Sequence, residues 1–100
     1  MSPRRACKKD GNQDAIVNEL EKVGLFVIDA HEFAQYRAGI ADLLVHWGER
    51  MAYVEIKEIG EGLNDNEVEF RRLCNAHYVP YIVLDTTESA SVWAQEFRRG

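Results

Sequence analysis

The chain has 100 residues, of which 46% are apolar, and it carries a formal net charge of −5 at pH 7. This length suits one domain, residues 1–100, with an ordinary core, and it leaves no room for a second module. No apolar run is long enough to cross a bilayer, and the basic, polar start lacks the apolar segment of a secretory signal, so we expect a cytoplasmic protein with no membrane partner.

The first third of the chain predicts a helix, a strand and a loop. Asp10 and Gln13 have the spacing of a capping box, and apolar residues then recur at helical spacing, which predicts helix 1 from about Gly11 to Val23. The apolar, β-branched run Leu25–Ala30 predicts strand 1. His31–Gly39 has no clean period and is predicted to be a loop that leads to the functional site.

The middle of the chain predicts a β-hairpin. Strand 2 is predicted over Asp42–Trp47, followed by a turn at Gly48–Arg50, and strand 3 from Met51 or Ala52 to Lys57. Side chains alternate between the two sides of a strand. In strand 3 we therefore expect one side to carry Ala52, Val54 and Ile56, and the other to carry Tyr53, Glu55 and Lys57.

The last third predicts a helix, a strand and a final helix. Asn64 and Glu67 form a second capping-box pattern before helix 2, Tyr81–Asp85 reads as strand 4, and Thr86 or Thr87 caps the last helix. The order αβββαβα predicts a mixed sheet with helices on its faces. Helix 2 would provide the crossover that places strand 4 parallel to a strand of the hairpin.

Two carboxylates and one ammonium are predicted to meet across this hairpin, from Asp42, Glu55 and Lys57. Mg²⁺ takes oxygen ligands and keeps several waters, so two carboxylates and the backbone carbonyl of Ile56 would be a sufficient anchor. Such an ion would serve the hydrolysis of a phosphodiester, because it neutralises the phosphate oxygens and lowers the pKa of the attacking water. Lys57 would contact the phosphate or stabilise transition-state charge. Each residue also has an explanation without catalysis. Asp42 is a common residue type at the start of a strand, and Glu55 and Lys57 could be an exposed pair on a half-solvated strand.

This pattern resembles the core of the PD-(D/E)xK nuclease superfamily, in which an aspartate and a Glu-x-Lys sequence lie across a hairpin. The rest of the chain is similar to the small VRR-NUC (virus-type replication-repair nuclease) domains of that superfamily. Arg4–Gly24 resembles the family's opening helix, Gly39–Leu44 resembles its G-x-P-D-L segment, and Gly62–Phe70 resembles its L-x-x-x-E-x-x-F segment. Ala41 stands where the family has proline, a backbone feature whose loss casts little doubt on catalysis.

The resemblance implies an α/β fold with a restriction-endonuclease-like αβββαβ core and a mixed sheet flanked by helices. It further implies a metal-dependent endodeoxyribonuclease that uses Mg²⁺ or Mn²⁺ and no organic cofactor. The expected substrate is branched or structured DNA such as Holliday junctions, and the expected assembly is a homodimer. A catalytically silent DNA-binding or assembly module with the same fold is the alternative.

Several polar side chains have two open interpretations. Gln13 either caps helix 1 or makes a polar contact at the catalytic site, as its family position implies. Asp14 is explained by the helix dipole and Glu19 by the surface, or either is a third metal-associated carboxylate. Glu67 is explained by its capping box or is a neighbour of the active site.

A net charge of −5 and an isoelectric point near 5.1 argue against DNA binding at first sight, because phosphate neutralisation supplies most nonspecific affinity. The distribution of positive charge matters more than its sum. Tyr36 and Arg37, in the loop before Asp42, either contact DNA or anchor that loop. The remaining basic residues either contact DNA or lie on solvated faces; they are Arg4, Arg5, Lys8 and Lys9 near the start, with further pairs at Arg71 and Arg72 and at Arg98 and Arg99.

Overall fold

Three α-helices and a four-stranded sheet form the structure, a computed structural model that describes residues 11–100. A 3₁₀ helix over His31–Gln35 adds one further turn, within the segment predicted to be a loop. The helices and strands in chain order are α1 (Gln13–Val23), β1 (Phe26–Asp29), β2 (Leu43–Trp47), β3 (Arg50–Ile56), α2 (Asp65–Ala76), β4 (Tyr81–Leu84) and α3 (Thr87–Arg99).

The sheet has the strand order β1-β2-β3-β4 and is mixed, as predicted. β1 and β3 both run antiparallel to β2, whereas β4 runs parallel to β3 after the α2 crossover. Trp47 pairs with Arg50, so the hairpin closes through a two-residue turn and Arg50 belongs to β3. The predicted turn was therefore one residue too long, because a two-residue loop matches the twist of the paired strands.

One face of the sheet packs against α1 and α3 and forms the main core. The expected alternation in β3 is confirmed, because Ala52, Val54 and Ile56 all point into this core. The fully buried apolar side chains of α1 are Ile16 and Leu20, which meet the sheet from the helix. Burial of this continuous apolar layer is the main favourable contribution to folding.

The opposite face carries a smaller apolar cluster under α2. Phe70 of this helix meets Tyr53 of β3 edge to face, with ring centroids 4.9 Å apart, and also contacts Tyr81 of β4. Cys74 is buried beside Phe70 in the same cluster. Because Glu55 and Lys57 share their side of β3 with Tyr53, they lie next to this cluster.

The observed N-terminal cap of α2 is the predicted one, whereas that of α1 differs from the prediction. Asn64 and Glu67 form the expected capping box of α2, and Thr86 caps α3. In α1 the cap is Asn12 and Gln13 is the first helical residue, so the predicted pairing of Asp10 with Gln13 is wrong. The side chain of Gln13 is buried instead, and Asp10 itself lies outside the described residues. No helix among residues 11–100 is both long enough and apolar enough to cross a membrane.

Gly39 brings the loop before β2 directly against the first turn of α2. Its φ angle is +84°, and a Cβ added there would lie only 2.2 Å from the backbone oxygen of Asn66. Both the backbone conformation and the close approach require glycine. The glycine of the Gly39–Asp42 segment is thus explained by packing.

We expect Gly39→Ala to lower the free energy of unfolding by roughly 2 to 4 kcal/mol, because a left-handed backbone and a backbone clash are combined. Gly60→Ala is the matched control, since Gly60 has a φ angle of +85° and a Cβ added to it would meet no atom within 4 Å. That variant should lose about 1 kcal/mol. Urea unfolding of the three proteins measures the difference, and equal losses would contradict the packing role of Gly39.

Candidate active site

The β2–β3 hairpin brings Asp42 and Glu55 to the same end of the sheet. Leu43 pairs with Val54, so the preceding residue Asp42 stands opposite Glu55 in the continued register. The Asp42 carboxylate accepts a hydrogen bond from the backbone N–H of Ile56, with a distance of 2.8 Å from that nitrogen to Oδ2. The Asp42 carbonyl accepts another from Ala30, which joins β1 to the start of β2. Asp42 is therefore fixed by backbone contacts on both sides.

Lys57 is almost buried, with 8% of its surface exposed, and three carboxylates surround its ammonium. Nζ lies 2.9 Å from Oε1 of Glu67, 3.6 Å from Oε2 of Glu55 and 3.8 Å from Oε2 of Glu61. Burial acts to lower the pKa of Lys57. The hydrogen bond and charge of Glu67, with the charges of Glu55 and Glu61, outweigh it and raise the pKa above its ordinary value. The ammonium therefore stays charged.

Glu55 is 3% exposed, and its surroundings favour the protonated carboxyl. Burial, followed by the charges of Asp42 and Glu67, raises the pKa of Glu55 to about 9, against the opposing effect of Lys57. Its Oε1 atom is buried and has no hydrogen-bond partner among the described residues. Buried polar atoms without a partner are rare in native proteins, so this oxygen marks a place where a ligand atom fits.

Glu67 joins this cluster to the N-terminus of α2. Its carboxylate accepts from Lys57 and from the backbone N–H of Asn64, each at 2.9 Å. Burial acts to raise the pKa of Glu67, but these two partners, with a side-chain hydrogen bond from Glu55, lower it below its ordinary value. The sequence left the role of Glu67 open between a cap and a site neighbour, and the structure gives it both contacts.

The N-terminus of α1 lies at the carboxyl ends of β3 and β4. Asn12 donates from Nδ2 to the carbonyls of Lys57 and Asp85, at 3.1 and 2.9 Å. The next residue, Gln13, is 2% exposed, and its Oε1 has no hydrogen-bond partner within residues 11–100. In that part of the chain no hydrogen bond joins Gln13 to Glu55 or Lys57, although its neighbour Asn12 is bonded to the Lys57 carbonyl.

Tyr81 is a neighbour of the site that sequence reasoning missed. Burial and the charges of Glu55 and Glu67 raise the pKa of the phenol above its ordinary value, and Oη is buried without a partner among residues 11–100. β4 pairs Tyr81 with Tyr53 and Val83 with Glu55. Because Tyr81 and Val83 are two residues apart, their side chains share one side of β4. The register that aligns β4 with β3 carries no sequence signal.

The other carboxylates proposed for the site have local roles. Glu19 pairs with Lys22 at 3.3 Å on the surface of α1, and Asp14 lies in the first turn of that helix, where the dipole favours a negative charge. Neither position needs a metal to explain it.

Tyr36 and Arg37 lie on the loop before Asp42, and Tyr36 is 80% exposed. Two of the other basic residues have protein partners: Arg72 pairs with Glu69, and Arg98 donates to the Val23 carbonyl and stacks over Trp47. The remaining residues predicted to bind DNA, Arg4, Arg5, Lys8 and Lys9, lie outside the described residues.

The oxygen donors predicted for a metal are two carboxylates, of Asp42 and Glu55, and the carbonyl of Ile56. Within residues 11–100, no group of three or more His, Cys, Asp or Glu side chains is arranged to hold an ion. The smaller donor set of Asp42, Glu55 and the Ile56 carbonyl fits Mg²⁺, which is commonly bound through one or two carboxylates and keeps several waters. The unpartnered Oε1 of Glu55 supports that fit.

Comparison of the chain with known protein families, with curated proteins and with solved structures gave no match. The function proposed below is therefore inferred from the residues and their geometry.

The raised pKa of Glu55 predicts a pH-dependent stability in buffer containing EDTA. Between about pH 5 and 8 an unfolded chain loses the Glu55 proton, whereas the folded protein retains it, because the pKa rises from 4.5 to about 9 on folding. The stabilisation that comes from the Glu55 proton is complete below the pKa of the unfolded chain, 4.5, and is lost as the pH rises towards the folded pKa of about 9.

Glu55→Gln, which stays neutral, should therefore gain stability relative to wild type by on the order of 1 kcal/mol per pH unit across this window. Chemical unfolding at several pH values measures the gap. The Glu32→Gln variant, which removes an exposed carboxylate from the 3₁₀ helix, is the control. A gap between wild type and Glu55→Gln that does not change with pH would contradict a protonated Glu55.

Proposed function

We propose that this domain is a metal-dependent endodeoxyribonuclease that hydrolyses phosphodiester bonds in branched or structured DNA such as Holliday junctions. The observation that carries the proposal is the arrangement across the β2–β3 hairpin, where Asp42 stands opposite Glu55 and the Lys57 ammonium lies 3.6 Å from the Glu55 carboxyl. The element order α1-β1-β2-β3-α2-β4 supports a restriction-endonuclease-like core of the VRR-NUC kind.

Asp42, Glu55 and the carbonyl of Ile56 would hold the Mg²⁺ or Mn²⁺ ion. Asp42 is already oriented by the N–H of Ile56, and Glu55 offers an oxygen without a partner among residues 11–100. When bound, a divalent ion supplies positive charge to the phosphate oxygens and lowers the pKa of a water. Ionised Glu55 is the form that binds it.

Lys57 would contact the scissile phosphate and stabilise the negative charge that develops on its oxygens. Its longest ion pair is with Glu61 at 3.8 Å, and Glu61 is the most exposed of the three carboxylates around it. A phosphate oxygen can therefore replace Glu61 without disturbing the shorter contact to Glu67. Gln13 would add a polar contact near the reacting water or the DNA, because its buried Oε1 has no partner within residues 11–100.

DNA would be bound weakly and in a salt-sensitive manner, because the chain has a net charge of −5. The exposed ring of Tyr36 can stack on a base and Arg37 can contact a phosphate, next to the segment that leads to Asp42. Arg4, Arg5, Lys8 and Lys9, outside the described residues, are proposed to add phosphate contacts.

Cleavage of DNA is the direct test. Wild-type protein with Mg²⁺ should cut at least one substrate from a panel of single-stranded, duplex, flap and four-way junction DNA, and EDTA should abolish cutting. Asp42→Asn, Glu55→Gln and Lys57→Ala should each lower the rate by roughly 100-fold or more, because each removes a ligand or a charge at the reacting phosphate.

The control variant is Glu69→Gln, which removes an exposed α2 carboxylate paired with Arg72 and should cut at the wild-type rate. Wild-type rates in the site variants would refute the assignment of these residues. DNA binding without cleavage by the wild-type protein, with either Mg²⁺ or Mn²⁺, would replace the enzyme with the silent binding module.

We also propose a twofold homodimer, because two sites related by symmetry can act on two strands of a symmetric branch. Sedimentation at micromolar concentration should then show a species of twice the 11.5 kDa chain mass. A single species of the monomer mass, with or without junction DNA, would rule out the dimer and leave the site assignment intact.

A further inference from the structure

The first turn of α2 contacts both the segment that leads to Asp42 and the Lys57 side chain at the end of β3. On one side, Asn66 lies directly against Gly39, three residues before Asp42. On the other side, the next residue along the helix, Glu67, holds the ammonium of Lys57 at 2.9 Å. One rigid turn of helix thus lies between the segment that leads to Asp42 and the end of β3.

Glu67 is held in place by contacts that do not involve Lys57. Its carboxylate accepts from the backbone N–H of Asn64 at 2.9 Å, and its own N–H donates to the Asn64 side chain at 2.9 Å. This reciprocal capping box restricts the Glu67 side chain to one orientation. Little additional side-chain entropy is lost when it binds Lys57.

Glu61 differs from Glu67 in its distance from the ammonium and in its exposure, although its carboxylate also accepts from a backbone N–H, that of Glu58, at 2.9 Å. It lies farther from the ammonium, at 3.8 Å, and its side chain is three times as exposed, at 43% against 14%. Two glycines, Gly60 and Gly62, flank it in the loop after β3, and a Cβ at either would meet nothing within 4 Å. By distance and exposure, the Glu61 contact is the one that a ligand would displace, and the Glu67 contact is the one that would stay.

We infer that Glu67 is a positioning residue for the reaction proposed above: it holds the Lys57 ammonium in line with the scissile phosphate, and the capping box of α2 fixes Glu67 itself. A lysine side chain has four rotatable bonds, so an unheld ammonium would spend much of its time away from the phosphate. Misplacing a reacting group by about 1 Å can cost roughly 100-fold in rate. This inference rests on the proposed nuclease activity.

The test compares Glu67→Gln with wild type on whichever DNA substrate is cut. Glutamine retains an oxygen that can accept from Asn64, so the cap is preserved, but the charge that holds Lys57 is lost. We expect kcat to fall by roughly 10- to 100-fold while KM changes less than about twofold, because the interaction acts on the transition state.

A double-mutant cycle separates positioning from a structural effect. If Glu67 acts through Lys57, adding Glu67→Gln to Lys57→Ala should change the remaining rate by less than about twofold. An additional loss as large as that of the single variant would overturn the inference. So would a wild-type kcat in Glu67→Gln, while the nuclease assignment would stand.

A matched control comes from the second capping box of the protein. In α3, Thr86 and Ser89 exchange the same pair of hydrogen bonds, but this helix terminus contributes no charged side chain to Lys57. Ser89→Ala should lower stability by about 1 kcal/mol and leave kcat unchanged. An equal loss of kcat in Ser89→Ala would attribute the Glu67 effect to stability and overturn the inference. Failure of wild-type protein to cut any substrate would refute the nuclease and this inference together.

Discussion

The register of the β2–β3 hairpin is the constraint on which the site depends. It places Asp42 opposite Glu55, and the hydrogen bond from the Ile56 N–H to the Asp42 carboxylate keeps that end of the hairpin closed. A slip of one residue would turn every side chain of one strand to the other face. It would move Glu55 into the apolar core and Val54 to the site, so the packing that stabilises the fold also fixes the chemistry.

The same arrangement has an electrostatic cost. Glu55 and Glu67 lie close together around one ammonium, and burial makes each negative charge less favourable. The protein limits the cost in three ways: Lys57 supplies a positive charge, the α2 cap hydrogen-bonds Glu67, and the raised pKa of Glu55 favours its neutral form. A metal ligand must be deprotonated, so a cation that bound Glu55 would displace its proton.

Three helix ends meet near the carboxyl ends of β3 and β4. The N-terminus of α1 is tied there by Asn12, α2 supplies Glu67, and α3 begins directly after β4 at the Thr86 cap. Helix N-termini carry partial positive charge. In the proposed function, this partial charge would favour the phosphate of the substrate at this end of the sheet.

Local patterns account for most of what could be predicted. The strands, helices and faces of β3 follow from periodicity and alternation, which depend on near neighbours in sequence. Prediction failed where the deciding contact is remote. Asn12 occupies the N-cap position of α1, but its side chain donates to carbonyls 45 and 73 residues away and not to the helix. The local spacing of Asp10 and Gln13 therefore predicted the wrong cap.

The sequence by itself determined the order of the α-helices and strands and the candidacy of Asp42, Glu55 and Lys57, because these follow from short-range spacing. The tertiary structure alone decided that Glu67 holds Lys57, that Tyr81 borders the cluster and that the pKa of Glu55 is raised. Those properties depend on which elements pack together and how much water is excluded between them, and no local pattern encodes either.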